Sequence, residues 1–501
     1  MVGRADAYPR PQRAAVARLQ LLLCAAMLAT SRGPSTGATA SVARPTAQQL
    51  ALLQHPVSAM AHFGISTFAG EDNPCNAKGC PPVTLFRPLL RPPATRCDVH
   101  QWVTAARALG SRQICLTAHH GAGFTLWDSA LTNYSAAHSP YGADLLVQFA
   151  SECRRQNVSI CYYWDSGDAF DATAGAAPET LFAKQRGWLH EVLSNPVYGP
   201  VDRLWIDGWS DSADSFWGSR GVGTRLVRTL SPRSLLVPGP DGCHAGGSGS
   251  FGVYPQLYQC AGHSSSTNRT FAVRETDITI QTILDWNVSA ASSSAAPPRV
   301  LGQEWFWRKG LNASLSASEL WYYYLGTVGR GSNLIVNMPP STACEIPAEF
   351  LSAARGFGQA VESSFGPGSA LAATNRPTVA RCQELTVTVH LPPTQEEFDA
   401  VLIKEDLSDG QRILNYSLEV LLDQAWVSVP PPDRPSFPGA HGCKGGSIGM
   451  QLIDLLPPEY SRPSEVSAVR VHCTAAIEDG RAARLASVSV HQTKPPAAHA
   501  H

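Results

Sequence analysis

The spacing of hydrophobic residues changes once along this chain, near residue 365. Between about residues 55 and 340, short runs that are apolar on both faces alternate with segments whose apolar residues recur at helical spacing. A parallel sheet covered by helices needs strands of this kind. The repeated strand–helix pattern therefore predicts a (β/α)8 barrel, with a doubly wound sheet as the structural alternative.

Individual elements can be assigned from their end signals. The segment 98–110 begins with a capping Asp98 and ends at Gly110, which is typical of a helix. The other predicted helices are ADLLVQFASECRRQN, PETLFAKQRGWLHEVL and SASELWYYYLGTV. The predicted strands are RQICLTAHH, SICYYWD, VDRLWIDG, SLLVPGPD, FAVRET, RVLGQEW and SNLIVNMPP.

After Phe365 apolar and polar residues alternate, and Pro- and Gly-rich loops separate the alternating segments. Period-two alternation predicts half-buried antiparallel strands, here an antiparallel β-sandwich. We favour a structural role for this domain over carbohydrate binding, because no ligand-binding aromatic cluster is evident in it. The expected organisation is a signal peptide and flexible leader (1–40), a catalytic (β/α)8-like barrel (50–365), a C-terminal β-sandwich (366–492) and a disordered tail (493–501).

The N-terminus has the features of a secretory signal. Arginines precede an apolar run at residues 19–29, and the sequence Ala-Thr-Ala at 38–40 resembles a cleavage site for signal peptidase. This run is too short to span a bilayer, which takes about 20 residues. We therefore expect no membrane span after removal of the leader, and a final location outside the cell or in a vacuole or lysosome.

Cysteines and glycosylation motifs agree with the secretory route. Of the 13 cysteines, Cys24 lies in the leader, and the remaining even number makes several disulfides plausible, with Cys75 and Cys80 in one loop the most suggestive pair. No CxxC repeat favours zinc, and we expect neither metal nor cofactor. Six Asn-X-Ser/Thr sequons are consistent with a glycoprotein: Asn133, Asn157, Asn268, Asn287, Asn312 and Asn415.

The charge balance excludes one class of partner. The formal net charge is −1, and 16% of the residues are charged. There is no polybasic face to follow a phosphate backbone, so we expect no nucleic-acid partner.

Polar and aromatic residues follow several predicted strands at the point where each strand ends. Reactive groups of a barrel gather at this rim, and the set comprises His62, His119, His120, Tyr163, Trp205, Asp207 and Glu275. Aromatic rings can cover the apolar face of a sugar, and two carboxylates suit glycoside hydrolysis. From spacing alone, Asp207 is equally well interpreted as a helix cap.

The order of several motifs resembles the α-L-fucosidases of glycoside hydrolase family 29, especially the plant and bacterial 1,3/1,4-type branch. HFGISTF resembles the family's HFGxxTF, LTAHHGAGFTLW its LTAKHHDGFCLW, LWIDG its LWLDG, and RETDITI its AECDVSI. WFWRKG is similar to GWFWH, VGRGSNLIVNMPP to VGRNCxxLLNVPP, and IKEDLSDGQRILNYSLEV to IREDLSxGQRVxxYxIE. These motifs are collinear over roughly residues 55 to 490.

The resemblance implies a retaining enzyme that removes terminal α-L-fucose from fucosylated oligosaccharides or glycoproteins. It makes Asp207 the nucleophile and Glu275 the acid/base, for which we expect a raised pKa. Glu304, directly before a tryptophan, is a reserve candidate for the acid. The fucose-binding residues implied are His62, one of His119 and His120, Tyr163, Trp205 and the acidic position near Glu71.

Two departures from the family motifs bear on the site. Without a gap, His120 takes the place of the family's first histidine and Gly121 that of the second, whereas a one-residue insertion matches both His119 and His120. The acidic residue after the TF pair falls on Asp72, next to Glu71. The alternatives to a fucosidase are a fucose-binding, lectin-like protein that has lost catalysis, and a barrel glycosidase for another sugar.

Overall fold

A computed structural model describes residues 42–208, 215–218, 220–244, 271–285, 299–311, 314–374, 376–392, 397–429, 447–461 and 465–497. Its larger part is a parallel sheet of eight strands in the order β5-β4-β3-β2-β1-β10-β7-β6. These strands are β1 (Val57–Ala61), β2 (Gln113–His119), β3 (Ser159–Asp165), β4 (Val201–Asp207), β5 (Leu235–Leu236), β6 (Gly242–His244), β7 (Val273–Thr279) and β10 (Asn333–Asn337). The predicted (β/α)8-like barrel is confirmed.

Helices cover the outer side of this sheet. They are α1 (Ala47–Gln54), α2 (Ile65–Ala69), α3 (Val99–Ala108), α4 (Leu145–Arg155), α5 (Ala169–Thr173), α6 (Pro178–Ser194), α7 (Val222–Leu230), α8 (Ala317–Thr327) and α9 (Ala348–Phe365). The predicted cap of α3 is present, because the Asp98 side chain accepts a hydrogen bond from the backbone N–H of Gln101. Strands β1 and β2 are buried at every position, as a sheet covered on both faces requires.

One predicted strand lies outside the barrel sheet. RVLGQEW does form a strand, Arg299–Gln303 (β9), but this strand pairs antiparallel with Thr282–Asp285 (β8) in a separate hairpin. The missing strand of the barrel is the three-residue β6, which pairs with β7. A strand this short has too few residues to show a hydrophobic period.

The C-terminal region contains two antiparallel sheets that share one hydrophobic core. The first has the order β11-β19-β14-β17, with β12 beside β19, and the second has the order β13-β18-β15-β16. Their bounds are β11 (Ala372–Ala373), β12 (Thr378–Ala380), β13 (Thr386–His390), β14 (Ala400–Glu405), β15 (Ile413–Leu422), β16 (Ala425–Ser428), β17 (Leu452–Leu455), β18 (Val466–Ala476) and β19 (Ala483–His491). This confirms the predicted β-sandwich.

Disulfides connect distant as well as neighbouring segments. The predicted bond between Cys75 and Cys80 is present. Three further bonds have both cysteines among the described residues: Cys97–Cys344, Cys115–Cys161 and Cys382–Cys473. In the part of the chain that the structure describes, no helix is long and apolar enough to cross a membrane. The predicted signal peptide and the sequons at Asn268, Asn287 and Asn312 lie outside the described residues.

Candidate active site

Strand β4 carries Asp207 as its last residue, on the inner side of the barrel rim. The inward positions of β4 alternate with outward ones, so Arg203, Trp205 and Asp207 share one face. The Tyr163 hydroxyl donates a hydrogen bond to Asp207 Oδ2 at 2.5 Å, and the backbone N–H of Gly208 donates one to Oδ1 at 2.8 Å. Both carboxylate oxygens are therefore oriented, although the residue remains exposed.

The interpretation of Asp207 as a helix cap finds no support in the described residues. The next described helix, α7, begins at Val222, and Gly221 occupies its N-cap position. Gly208 turns the chain away from the rim with φ at 74°, where a side chain would be strained. A Cβ at Gly208 would also lie 2.3 Å from the Ser166 hydroxyl oxygen.

An aromatic wall stands beside the carboxylate of Asp207. Tyr163 and Trp205 are register partners on β3 and β4, and their rings stack with centroids 5.2 Å apart. The His120 ring also stacks on Tyr163, with ring centroids 5.6 Å apart. Two buried nitrogens, Trp205 Nε1 and His120 Nδ1, have no hydrogen-bond partner among the described residues. Such groups are costly to bury unless a ligand or water satisfies them.

His62 joins this wall from β1. Its backbone N–H donates to Asn337 Oδ1 at 3.0 Å, and its ring Nδ1 lies 3.0 Å from the same oxygen. The ring contacts Tyr163 at 5.0 Å and Trp305 at 5.3 Å between centroids. Burial, together with the charge of nearby His120, lowers the pKa of His62 to about 3, so the imidazole is neutral at ordinary pH.

The two consecutive histidines occupy different environments. His119 ends β2 among the rings of Trp164 and Trp188, and its Nδ1 lies 3.1 Å from the Asp165 carbonyl oxygen. His120 instead faces His62 and Tyr163. The structure therefore brings His120 to the other rim residues and leaves His119 in the packing behind them.

The space that a side chain at position 121 would need is already taken. A Cβ on Gly121 would lie 2.9 Å from Asp165 Oδ2. The glycine at this position therefore agrees with the local packing under either match to the family motif.

Asp72, rather than Glu71, contacts the segment that carries Trp305. Asp72 Oδ1 accepts the backbone N–H of Phe306 at 3.1 Å, and Oδ2 accepts that of Trp305 at 3.4 Å. Glu71 is exposed. The structure places the ring of Trp305 against His62.

Glu275 lies deeper in the barrel than the rim. It is the third residue of the seven-residue β7, has no exposed surface, and forms an ion pair with the equally buried Arg203. Arg203 precedes Asp207 by four residues, which corresponds to roughly 13 Å along a strand. Burial raises the pKa of Glu275, the predicted direction, although the Arg203 charge opposes this shift.

Glu304 occupies a different position, beside the rim. Its side chain is 20% exposed and pairs with Arg308 at 2.5 Å. Burial raises the pKa of Glu304, and the charge of Asp72 adds to this effect while Arg308 opposes it. The two predicted acids are thus in contact with different arginines, one inside the barrel and one at its edge.

Sequence reasoning missed a second polar pair at the rim. His244, at the end of β6, is hydrogen-bonded through Nε2 to the Asp277 carboxylate on β7. The His244 ring also meets the Trp205 ring at 5.7 Å in an edge-to-face arrangement. The available signal for Asp277 was its position two residues after Glu275, on the same face of a strand. Among the described residues, no cluster of His, Cys, Asp or Glu is arranged to hold a metal ion.

Comparison with known proteins places this geometry in context. The family model described as α-L-fucosidase matches residues 92–363. A protein of Oryza sativa subsp. japonica, provisionally named α-L-fucosidase 1, is 26% identical over 431 residues, which is 76% of each chain. Plasma α-L-fucosidase of Homo sapiens is 24% identical over 339 residues, or 65% of each chain.

Solved structures share the fold. A Bacteroides ovatus protein, also provisionally named an α-L-fucosidase, gives a TM-score of 0.72 at 21% identity, covering 93% of this chain and 78% of its own. A Ruminococcus gnavus family 29 fucosidase in complex with fucose gives 0.69 at 17% identity, covering 92% and 97%. At these identities the likeness establishes the common architecture.

Proposed function

Because the chain belongs to the α-L-fucosidase family, we propose that it hydrolyses terminal α-L-fucosides with retention of configuration through a covalent fucosyl–Asp207 intermediate. The observation that carries this proposal is the Asp207 carboxylate, exposed at the rim and held on both oxygens by Tyr163 and Gly208. A nucleophile must be both accessible and oriented toward the anomeric carbon.

Tyr163 is suited to hold Asp207 throughout the reaction. Burial and the charges of Asp207 and Asp165 raise the pKa of Tyr163 well above its usual value, so the hydroxyl remains a donor. A hydrogen bond from a neutral phenol keeps the carboxylate ionised while restricting its orientation.

The wall beside Asp207 is suited to bind a deoxy sugar. Stacked Tyr163 and Trp205 offer an apolar surface, while Trp205 Nε1 and His120 Nδ1 retain hydrogen-bonding capacity for hydroxyl groups. His62, neutral and fixed by Asn337, completes this side. We propose these residues as the fucose site, with Asp72 supporting it through the Trp305–Phe306 backbone.

The two sequence-based candidates for the proton donor differ in exposure and in their arginine partners. An acid must reach the leaving-group oxygen, whereas Glu275 has no exposed surface and is paired with Arg203. Glu304 is better exposed, and burial raises its pKa although the charge of its partner Arg308 opposes this shift. We retain Glu304 as the carboxylate candidate and assign Glu275 a structural role.

We propose fucosylated oligosaccharides or glycoproteins with α-1,3 or α-1,4 linkages as substrates, after passage through the secretory pathway. The disulfides of the described region agree with an oxidising compartment.

Hydrolysis of an aryl α-L-fucoside by the purified protein tests the activity directly. Proton NMR at early times should show the α-anomer of fucose first, as retention requires. Asp207→Gly should abolish turnover, and added azide should restore it as β-fucosyl azide. Initial release of the β-anomer by the wild type, or turnover by Asp207→Gly without azide, would contradict the assignment.

The second candidate is a fucose-binding protein without catalysis. The observation that favours it is the absence of an exposed, unpaired glutamate at either predicted acid position. Calorimetric binding of fucose, together with no release from the aryl fucoside, would select this function.

A further inference from the structure

Asp165 is a second carboxylate at the inner rim of the barrel. It ends β3 as Asp207 ends β4, and the two residues are register partners on neighbouring parallel strands. Neighbouring strands lie roughly 5 Å apart, and register partners point to the same face. The pair one step earlier on this face is Tyr163 and Trp205, whose rings stack. Asp165 therefore lies on the inner side of the rim, next to the proposed nucleophile.

The two carboxylate oxygens of Asp165 have different surroundings. Oδ1 accepts the backbone N–H of Gly167 at 2.7 Å, which closes a turn directly after the strand. The N–H of Ala169 donates to the Gly121 carbonyl at 2.8 Å and so fastens this turn to the segment that follows β2. Among the residues that the structure describes, no donor reaches Oδ2 of Asp165. The side chain is thus held by one oxygen while the other is left for a ligand.

The second oxygen, Oδ2, lies where a side chain of residue 121 would be. A Cβ on Gly121 would be 2.9 Å from Asp165 Oδ2 and 3.6 Å from Asn73 Oδ1. Asp165 is half-buried and Asn73 is exposed. Because residue 121 has no side chain, a carboxylate and an amide border this point directly, and both can contact a bound molecule.

His120, the residue before Gly121, gives an independent sign of a ligand at this place. Its Nδ1 is buried and has no hydrogen-bond partner within the described part of the chain. Burial lowers the pKa of His120, although the charges of Asp165, Asp72 and Asp207 oppose this shift. The imidazole nitrogen and Asp165 Oδ2 are therefore both left to pair with groups of a bound molecule.

We propose that Asp165 is a specificity residue of the sugar site, and that one ring hydroxyl of the fucosyl group at Asp207 binds between Asp165 Oδ2 and the Asn73 amide. This rests on the proposed fucosidase function and narrows its substrates to fucosides in which that hydroxyl is free. Asp165 binds substrate in this proposal, and the acid–base assignment is unchanged.

The chemistry of the acceptor sets the selectivity. An ionised carboxylate accepts hydrogen bonds but donates none, so an ether or ester oxygen at this position of the sugar would find no donor on Asp165. A sulfate ester would also be repelled by the like charge. A site that is built to bind a hydroxyl rejects an analogue that lacks it, because the polar group of the protein is then left unpaired.

Monodeoxy substrates separate hydroxyl binding from structural support. We would measure kcat/KM of wild type and Asp165→Asn on an aryl α-L-fucoside and on its 2-, 3- and 4-deoxy analogues. Asparagine keeps an oxygen for the Gly167 N–H, so the turn is retained while the charged acceptor is lost. Asp165→Asn should lose about 10-fold or more on the parent fucoside, but less than about 2-fold on the one analogue that lacks the bound hydroxyl. The ratio of variant to wild type cancels the intrinsic reactivity of each analogue.

Asp406→Asn is the matched control. Asp406 accepts the backbone N–H of Ser408 at 3.0 Å, the same bond to the residue two positions later, but it lies in the C-terminal region. This variant should behave as wild type on every substrate. Asn73→Ala is a second test that leaves the turn after β3 intact. It should lose about 5-fold on the parent fucoside and lose nothing further on the same analogue.

Equal losses on all the analogues in Asp165→Asn, with folding verified by thermal melting, would overturn the inference, because a structural defect affects every substrate alike. A wild-type rate of Asp165→Asn on the parent fucoside would also overturn it. If Asp165→Asn did not fold, equal losses on all the analogues in Asn73→Ala would have the same meaning. Wild-type protein that turns over none of the aryl fucosides would overturn the proposed function itself, a result distinct from these.

Discussion

Two carboxylates at different depths of the same barrel differ in exposure and in the groups that contact them. At the rim, Asp207 is exposed and held by neutral donors, the Tyr163 hydroxyl and the Gly208 N–H. Inside the barrel, Glu275 is fully buried and forms an ion pair with Arg203. Arg203 lies on the same inner face of β4 as Asp207. Depth in the barrel, rather than residue type, separates the exposed carboxylate from the one that has no exposed surface.

Replacing these two carboxylates should therefore lower the free energy of unfolding by different amounts. A buried ion pair that loses one partner leaves an uncompensated charge, whereas an exposed carboxylate can be removed with little effect on folding. Stability and activity measurements on matched variants can therefore test the assignment of each level.

The largest effect is expected at Asp207. Asp207→Ala should lower kcat/KM for an aryl fucoside on the order of 10⁴-fold, because the covalent route is lost, with little change in the melting temperature. Asp128→Ala removes another exposed carboxylate, 63% exposed, and serves as control with full activity expected. A normal rate in Asp207→Ala would contradict the assignment of Asp207 as the nucleophile.

The second largest effect is expected at the buried ion pair between Arg203 and Glu275. Glu275→Ala should reduce the free energy of unfolding by about 3–5 kcal/mol by leaving Arg203 unpaired, as measured by urea denaturation. The double replacement Arg203→Met with Glu275→Leu should recover much of this stability. If Glu275→Ala kept its stability but lost turnover, Glu275 would be the acid after all.

A smaller effect is expected from the bond between Tyr163 and Asp207. Tyr163→Phe should cost about 1.5–3 kcal/mol of transition-state stabilisation, a factor of roughly 10 to 150 in kcat/KM. The matched control is Tyr162→Phe, on the same strand, whose hydroxyl donates to the Tyr198 carbonyl at 2.6 Å. That control should affect stability alone, and an equal loss of activity in both variants would deny Tyr163 its special role.

The smallest effect separates the consecutive histidines. His120→Gln should raise KM about 5-fold, since one hydrogen bond to a sugar hydroxyl is worth about 1 kcal/mol. His119→Gln should instead lower the melting temperature, because His119 packs between Trp164 and Trp188. The reverse outcome would favour the gapped match to the family motif.

Much of this arrangement is encoded in local patterns. The strand SICYYWD and the strand ending at Asp207 were predicted from apolar runs, and the structure confirms both as β3 and β4. Period-two alternation also predicts that Trp205 and Asp207 share a face. Such features depend on neighbouring residues, so the sequence reveals them.

Features that depend on depth and on pairing between distant strands were not predictable. Nothing in the order of residues shows that Glu275 meets Arg203, 72 positions earlier, below the rim. His244 lies on a strand of three residues, too short for a hydrophobic period. Its bond to Asp277 arises only when β6 pairs with β7.

Trapping the covalent intermediate tests the central claim most directly. The protein is incubated with 2-deoxy-2-fluoro-α-L-fucosyl fluoride, which slows hydrolysis of the intermediate, and is then digested and mapped by mass spectrometry. The account predicts one equivalent of fluorofucosyl label, located on Asp207. A label on another residue, or turnover of natural substrate with no label formed, would contradict it.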